Sequence, residues 1–239
     1  FFKTTEEAQA SAQIVNQDQI NRRRVQAPTE DLRRLQAGDI KIKDLNGDGI
    51  INAGKSTLSD PGDREIIGNS QPRYSYGLTL SANWNGIDAS VFFQGIGRRH
   101  WYPNLEAQAF WSVYARPYDS FIPSDFPDKI WSPENPNAYF PFLRGYTAQN
   151  SELSVNNDMY LQDLSYLKIR NLTVGYTFPT SLTNRIRINK FRLFMSGENL
   201  VTWTKLKTDY IDPEQVMTDN TGRSYPMGKV VSFGAQLSF

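Results

Sequence analysis

The sequence predicts an all-β chain whose antiparallel strands belong to a transmembrane β-barrel with long extracellular loops. Three observations carry that reading. Several segments alternate apolar and polar residues with a period of two, the signature of a strand with one apolar face. The connections between those segments run long, short, long, short, long along the chain, which is how outer-membrane barrels sort surface loops from periplasmic turns. No run of apolar residues is long enough for a membrane-crossing helix, and the mean hydropathy is −0.54. Barrel strands remain allowed, because alternation averages out as polar.

Composition removes several function classes. Among 239 residues, Lys plus Arg number 26 and Asp plus Glu 25, a net charge of +1. A dedicated nucleic-acid binder would show a basic excess, so no nucleic-acid partner is expected. Cysteine is absent and histidine occurs once, at His100. Disulfide scaffolds, thiolate metal sites, Cys nucleophiles and multi-His zinc sites are thereby excluded.

Residues 1–72 read as the end of a barrel strand at Phe1-Phe2-Lys3 followed by a long extracellular loop. Residues 4–35 are rich in Gln, Glu and Arg, and the pattern predicts a short helix over 29–35 capped by Thr29. Residues 73–95 predict a barrel hairpin. Tyr74, Tyr76, Leu78, Leu80, Ala82 and Trp84 fall on one face and Ser75, Gly77, Thr79, Ser81 and Asn83 on the other. Asn85-Gly86 then supplies the two positive-φ positions of a type I′ turn, and Ile87, Ala89, Val91 and Phe93 open the return strand.

Residues 96–162 form a large aromatic-rich extracellular loop, dense in Trp, Tyr, Phe and Pro between 101 and 146. Such a composition is ordered. Most of these rings are expected to hold the loop together. Trp101, Trp111, Tyr114 and Trp131 are the candidates for contact with substrate or partner.

Residues 163–239 hold the last three strands. Leu172, Val174, Tyr176 and Phe178 alternate in one phase while Leu167 and Ile169 sit in the other, which predicts a bulge near residues 168–170. Leu193, Met195, Val201 and Trp203 mark the apolar face of the next strand. Val231, Phe233, Ala235, Leu237 and the terminal Phe239 mark that of the last. Tyr and Trp gather near strand ends, as in membrane-interface girdles. Alternating strands of this kind also build soluble β-sandwiches and jelly rolls.

One motif carries chemistry. Asp44-Leu45-Asn46-Gly47-Asp48-Gly49-Ile50-Ile51-Asn52 matches the first nine positions of an EF-hand-type loop. Oxygen ligands fall at positions 1, 3 and 5, a glycine at 6 and a backbone carbonyl at 7. Position 12 is Lys55, so a closing carboxylate must come from Asp60, Asp63 or Glu65. Asp63 is the choice, because ordered sequence resumes directly after it at Ile66-Ile67-Gly68. The predicted ligands are Asp44, Asn46, Asp48, the Ile50 carbonyl and Asp63. Calcium is the expected ion and magnesium the alternative; a plain turn of Asn, Asp and Gly is the simpler reading of the same residues. No enzyme chemistry is expected. His100 reads as a loop residue, and Asp209, Asp212 and Glu214 read as a solvated loop rather than paired catalytic carboxylates.

The motifs together resemble SusC-like TonB-dependent outer-membrane transporters. The resemblance is carried by Gly38-Asp39-Ile40-Lys41-Ile42-Lys43-Asp44-Leu45-Asn46-Gly47-Asp48-Gly49 and by Asp63-Arg64 through Ile67-Gly68-Asn69 with Pro72. Further matches are Ser90-Val91-Phe92-Phe93-Gln94-Gly95, Trp131-Ser132-Pro133-Glu134-Asn135-Pro136, residues 165–176, residues 192–200 and the terminal 233–239, all in family order.

The resemblance implies a barrel of about 22 strands behind an N-terminal plug, of which 239 residues can supply only the C-terminal strands. It implies a multi-pass barrel in the cell outer membrane, importing a nutrient, commonly an oligosaccharide. It also implies a SusD-like surface lipoprotein as lid, and TonB engaged through an upstream region. The rest of the same barrel and the lipid bilayer complete the expected partners. The residues between Asn52 and Asp63 exceed the family pattern. Two rivals stay open at this level: a soluble calcium-binding carbohydrate-binding β-sandwich module, and a structural or adhesive surface barrel.

Overall fold

The computed structural model describes residues 1–11, 35–118, 120–145, 147–150, 152–216, 224–225 and 227–239. The helix expected over 29–35 lies almost wholly outside them. The chain divides into two compact units. One draws on Phe1–Ile67 and Tyr102–Leu161, the other on Gly68–Trp101, Gln162–Thr218 and Ser224–Phe239.

The second unit is an antiparallel sheet of five strands. They are β1 (Tyr74–Trp84), β2 (Ile87–Gly97), β5 (Tyr166–Thr177), β6 (Lys190–Thr204) and β7 (Val230–Ser238), in the spatial order β1-β2-β5-β6-β7. Two short strands, β3 (His100–Trp101) and β4 (Gln162–Asp163), pair with each other beyond β2 and β5. The β1–β2 turn is Asn85-Gly86, with φ of +47° and +86°. Both values demand the left-handed region, which Asn and Gly tolerate best. Trp84, Ile87, Tyr176 and Leu193 share one row of the sheet, so the β1–β2 turn and the short β5–β6 connection lie at the same end. The long connections, before β1, between β2 and β5 and between β6 and β7, all leave from the opposite end.

A stepped bulge interrupts the ladder. Where β2 advances one residue from Phe93 to Phe92, β5 advances two, from Ile169 to Asn171. Across the next ladder β6 covers three, from Val201 to Glu198. Arg170, Asn199 and Leu200 are the extra residues, and Asn199 takes a positive φ of +53°. The change of phase between Ile169 and Leu172 thus has its physical cause at Arg170, within the stretch where the sequence placed it.

The first unit is built on aromatic rings. Trp111 and Tyr114 are fully buried; the Trp111 indole donates to the Pro103 carbonyl at 2.9 Å and the Tyr114 hydroxyl to the Pro141 carbonyl at 2.6 Å. Phe140 sits at the centre, its ring 4.9 Å from those of Phe126 and Tyr139 and 5.6 Å from Tyr114. Prolines supply carbonyl acceptors without competing donors, so buried ring N–H and O–H groups are satisfied without regular structure.

Residues 36–39 dock on this core. Gly38 has φ +84°, and a Cβ there would lie 2.3 Å from the Trp131 ring, so only glycine fits. Phe1 and Phe2, read in the sequence as a strand end, lie outside the strands of this structure. Phe2 is buried, its amide donating to the Asp39 carbonyl at 2.9 Å and its carbonyl accepting from Gly38. A helix, Thr5–Ser11, follows it.

Candidate functional site

Register places the side chains of the five-stranded sheet on two chemically opposite faces. One row runs Leu80, Val91, Leu172, Gly197, Val231; the next runs Ala82, Ala89, Val174, Met195, Phe233. Leu200, an extra residue of the bulge, covers Gly197, where a Cβ would lie 2.7 Å from it. Trp84 and Tyr176 flank these rows toward the short-turn end, and Tyr76 and Trp203 toward the other. Every strand contributes large apolar residues that stay exposed, Phe233 at 80% among them. A soluble protein does not leave a continuous apolar sheet face uncovered.

The opposite face is polar. Ser81 and Ser90 hydroxyls bond each other at 3.0 Å across β1 and β2. Arg192 on β6 reaches over Gly175 on β5 to Asp88 on β2, its Nε donating to Oδ1 at 2.8 Å. Two large rings on this face lie over strand glycines, Phe92 over Gly77 and Phe194 over Gly234. Near the long-connection end, Lys168 and Arg170 meet Asp212 and Glu214. Sequence reasoning read Asp212 and Glu214 as a solvated loop, and the structure corrects this: their side chains are only 11% and 17% exposed. The signal available was Lys168 itself, a lysine in an alternating strand beside a bulge.

The EF-hand-like loop folds through its own side chains. Asp44 accepts from the amides of Gly47 at 2.6 Å and Gly49 at 2.9 Å. Asn46 and Asp48 accept from the amides two residues on, those of Asp48 and Ile50. The Ile50 carbonyl accepts from Asn52 Nδ2 at 3.2 Å. Asp63 does return to this loop. Its carboxylate bridges the amides of Leu45 at 2.8 Å and Asn52 at 2.7 Å.

The extra residues after Asn52 make a closed excursion. It is pinched where Gly54 and Gly62, both at positive φ, bring their backbones too close for any Cβ. Burial alone would raise the Asp63 carboxyl, but the Asn52 and Leu45 amides outweigh it and hold the group below its ordinary 3.8. Among the described residues, no group of three His, Cys, Asp or Glu side chains is arranged to cage a metal ion. The predicted ligands are thus gathered into one loop, with their oxygens turned to amides.

Trp101, Trp111, Tyr114 and Trp131, the expected contact residues, are all buried. Their faces are not on the surface, so they serve packing. Among the described residues of 101–146, Tyr118, Phe121, Ile122 and Leu143 do expose large apolar side chains.

Comparison with known proteins agrees with this geometry. No family model matches the chain. TonB-dependent receptor P3 of Formosa agariphila is 29% identical over 213 residues, covering 82% of the chain and 18% of that receptor. TonB-dependent receptor P39 of the same organism is 29% identical over 174 residues, covering 71% and 15%. The solved structure of the RagAB peptide transporter aligns with TM-score 0.51 and 25% identity over 73% of this chain and 18% of that one. This chain is similar to part of a SusC-like TonB-dependent transporter. The RagAB peptide importer in its open-open state aligns with TM-score 0.50 at 23% identity, a likeness of fold. The chain spans under a fifth of each of these relatives. They are named as receptors, importers or transporters.

Proposed function

We propose that this chain forms wall and extracellular loops of an outer-membrane barrel that imports a nutrient by a TonB-dependent route. One observation carries the reading: an unbroken apolar face across five strands, opposite a polar face, with short connections at one end and long ones at the other. A bilayer covers such an apolar face at no cost in exposed surface, and a wet channel suits the other. The open edges of β1 and β7 are then completed by the rest of the same barrel.

An oligosaccharide is the proposed cargo, taken up with a SusD-like surface lipoprotein over the long-connection end, and TonB engages a region outside this chain. A peptide cargo is the second reading, favoured by the peptide-importer neighbours. Deleting residues 104–140 from the full-length protein tests the role of the aromatic unit. The expected result is an assembled barrel that no longer co-purifies the lipoprotein and no longer supports growth on the nutrient. Wild-type uptake and co-purification would refute it. Uptake assays with labelled oligosaccharides and peptides of matched size decide between the two cargoes.

Calcium binding by Asp44, Asn46, Asp48, the Ile50 carbonyl and Asp63 belongs to the same proposal. Three carboxylates and an amide on a glycine-tightened loop favour a hard cation with long bonds, and the ion would cross-link the loop to the start of the next segment. With acids turned to amides, the affinity expected is that of extracellular modules, about 10⁻⁴–10⁻³ M. Calorimetry with calcium and with magnesium on the wild type and on D44N/D48N checks it. Identical heats from both proteins would refute it.

A further inference from the structure

After Thr204 the chain does not run outward from the strand end. Lys168 stands on the polar face, in register with Gln94 on β2 and Thr202 on β6, and its side chain is only 1% exposed. Its Nζ donates to Asp212 Oδ2 at 3.1 Å and to Glu214 Oε2 at 2.8 Å. Residues 205–216 therefore fold back over the polar face to bring these carboxylates to the lysine.

Arg170, the extra residue of the β5 bulge, donates from Nη1 to the same Glu214 oxygen and to Asn199 Oδ1, each at 3.0 Å. The returning leg is fastened to the same pair of bulge residues: Arg170 approaches the Met227 sulfur at 3.2 Å and Asn199 donates to the Gly228 carbonyl at 3.3 Å. Ile211 and Val216 are buried, so the segment is packed and not draped. At the same end of the polar face Ile96 and Tyr166 are buried, whereas Ser81 and Asn83 toward the short-turn end are exposed.

Two cations meet two carboxylates here, so the charges cancel within the cluster. A lysine this deep is tolerable only with that compensation. Removing either side leaves the other desolvated and unpaired. The bulge is what aims Arg170 and Asn199 into the cluster, which gives the irregularity of the ladder a purpose.

We propose that residues 205–216 are a strap folded onto the channel-side face, latched by Lys168 and Arg170 to Asp212 and Glu214, and that this strap sets the width of the passage at the long-connection end. The proposal rests on the barrel reading for its channel, while the latch itself stands on the ion-pair geometry alone.

The test uses the full-length protein in detergent and in cells. Hydrogen–deuterium exchange is compared between wild type, K168M and D212N/E214Q, and uptake is measured with a length series of the nutrient. Exchange across 205–216 is expected to rise at least about tenfold in both variants, with β2 and β5 amides unchanged, since breaking a buried pair exposes an uncompensated charge. Longer members of the series, excluded by the wild type, should then enter. Should K168M fail to assemble, D212N/E214Q alters only the strap and decides the matter. Wild-type exchange over 205–216 in a folded D212N/E214Q would overturn the latch. A freed strap with an unchanged size limit would overturn the constriction. If the wild type takes up no member of the series, the transport reading fails while the exchange result still judges the latch.

Discussion

Arginine at Val91 should unfold the barrel wall where arginine at its neighbour Ser90 should not. Tyr76 and Trp84 stand eight residues apart on the apolar face of β1. At roughly 3.3 Å per residue and a tilt of about 40°, those eight steps cross about 20 Å of bilayer. The row midway between them is Leu80, Val91 and Leu172, so the proposed barrel puts Val91, on an interior strand of the sheet, at the bilayer midplane. A charge there costs roughly 2–4 kcal/mol, a fall of about 30- to 1,000-fold in the folded population. Ser90, in register with Ser81 and Thr173, faces the polar side and should tolerate arginine with a loss below about 1 kcal/mol, in the range of surface substitutions. Urea unfolding of the full-length protein in liposomes, read by the heat-modifiable gel shift of folded barrels, measures both. An unchanged V91R beside a destabilised S90R would refute the assignment of the faces.

Three further outcomes follow from the loops. Trp111→Ala removes a fully buried indole from the aromatic unit and should cost about 3–5 kcal/mol, seen as rapid proteolysis within residues 102–161 while the strands stay protected. Gly38→Ala places a methyl group against the Trp131 ring at a positive φ and should cost more than about 1 kcal/mol, read as a shift in the same proteolysis midpoint. The Asp63 carboxyl is held below its ordinary 3.8, so its contribution to the 44–63 loop is fully present above that pH and is lost as the pH falls through the depressed value. Amide exchange at Leu45 and Asn52 should accelerate in that acid window, and in D63N it should be fast at neutral pH as well.

Much of the wall was legible in the sequence because its determinants are local. Alternation fixes which face a strand residue takes, and Asn85-Gly86 fixes the turn by backbone sterics. The bulge at Arg170 announced itself as a change of phase between Ile169 and Leu172. The loops were less legible, because their order comes from distant partners. Nothing in the spacing of Trp111 and Tyr114 distinguishes a ring offered to a ligand from one whose polar atom seeks the carbonyl of Pro103 or Pro141. Asp212 and Glu214 look solvated in sequence because the cations that bury them lie on β5, more than forty residues earlier. The sequence offers Asp63 as a closing carboxylate for a metal, whereas its bonds to the Leu45 and Asn52 amides are not legible there. The pinch of Gly54 against Gly62 that permits them depends on paired positive-φ glycines, which the sequence marks only as a polar stretch.

The central claim is that one face of the five-stranded sheet meets lipid and the other meets water. The chain contains no cysteine, so single cysteines within it can carry spin labels without background from this region. Labels placed in turn at Leu80, Ser81, Ser90, Val91, Thr173, Val174, Ser232 and Phe233 in the full-length protein in bilayers report collisions with dissolved oxygen and with a water-soluble nickel chelate. A period of two is expected on β1, β2, β5 and β7, with Leu80, Val91, Val174 and Phe233 oxygen-accessible and Ser81, Ser90, Thr173 and Ser232 accessible from water. Uniform water access at all eight positions, or the reversed alternation, would contradict it.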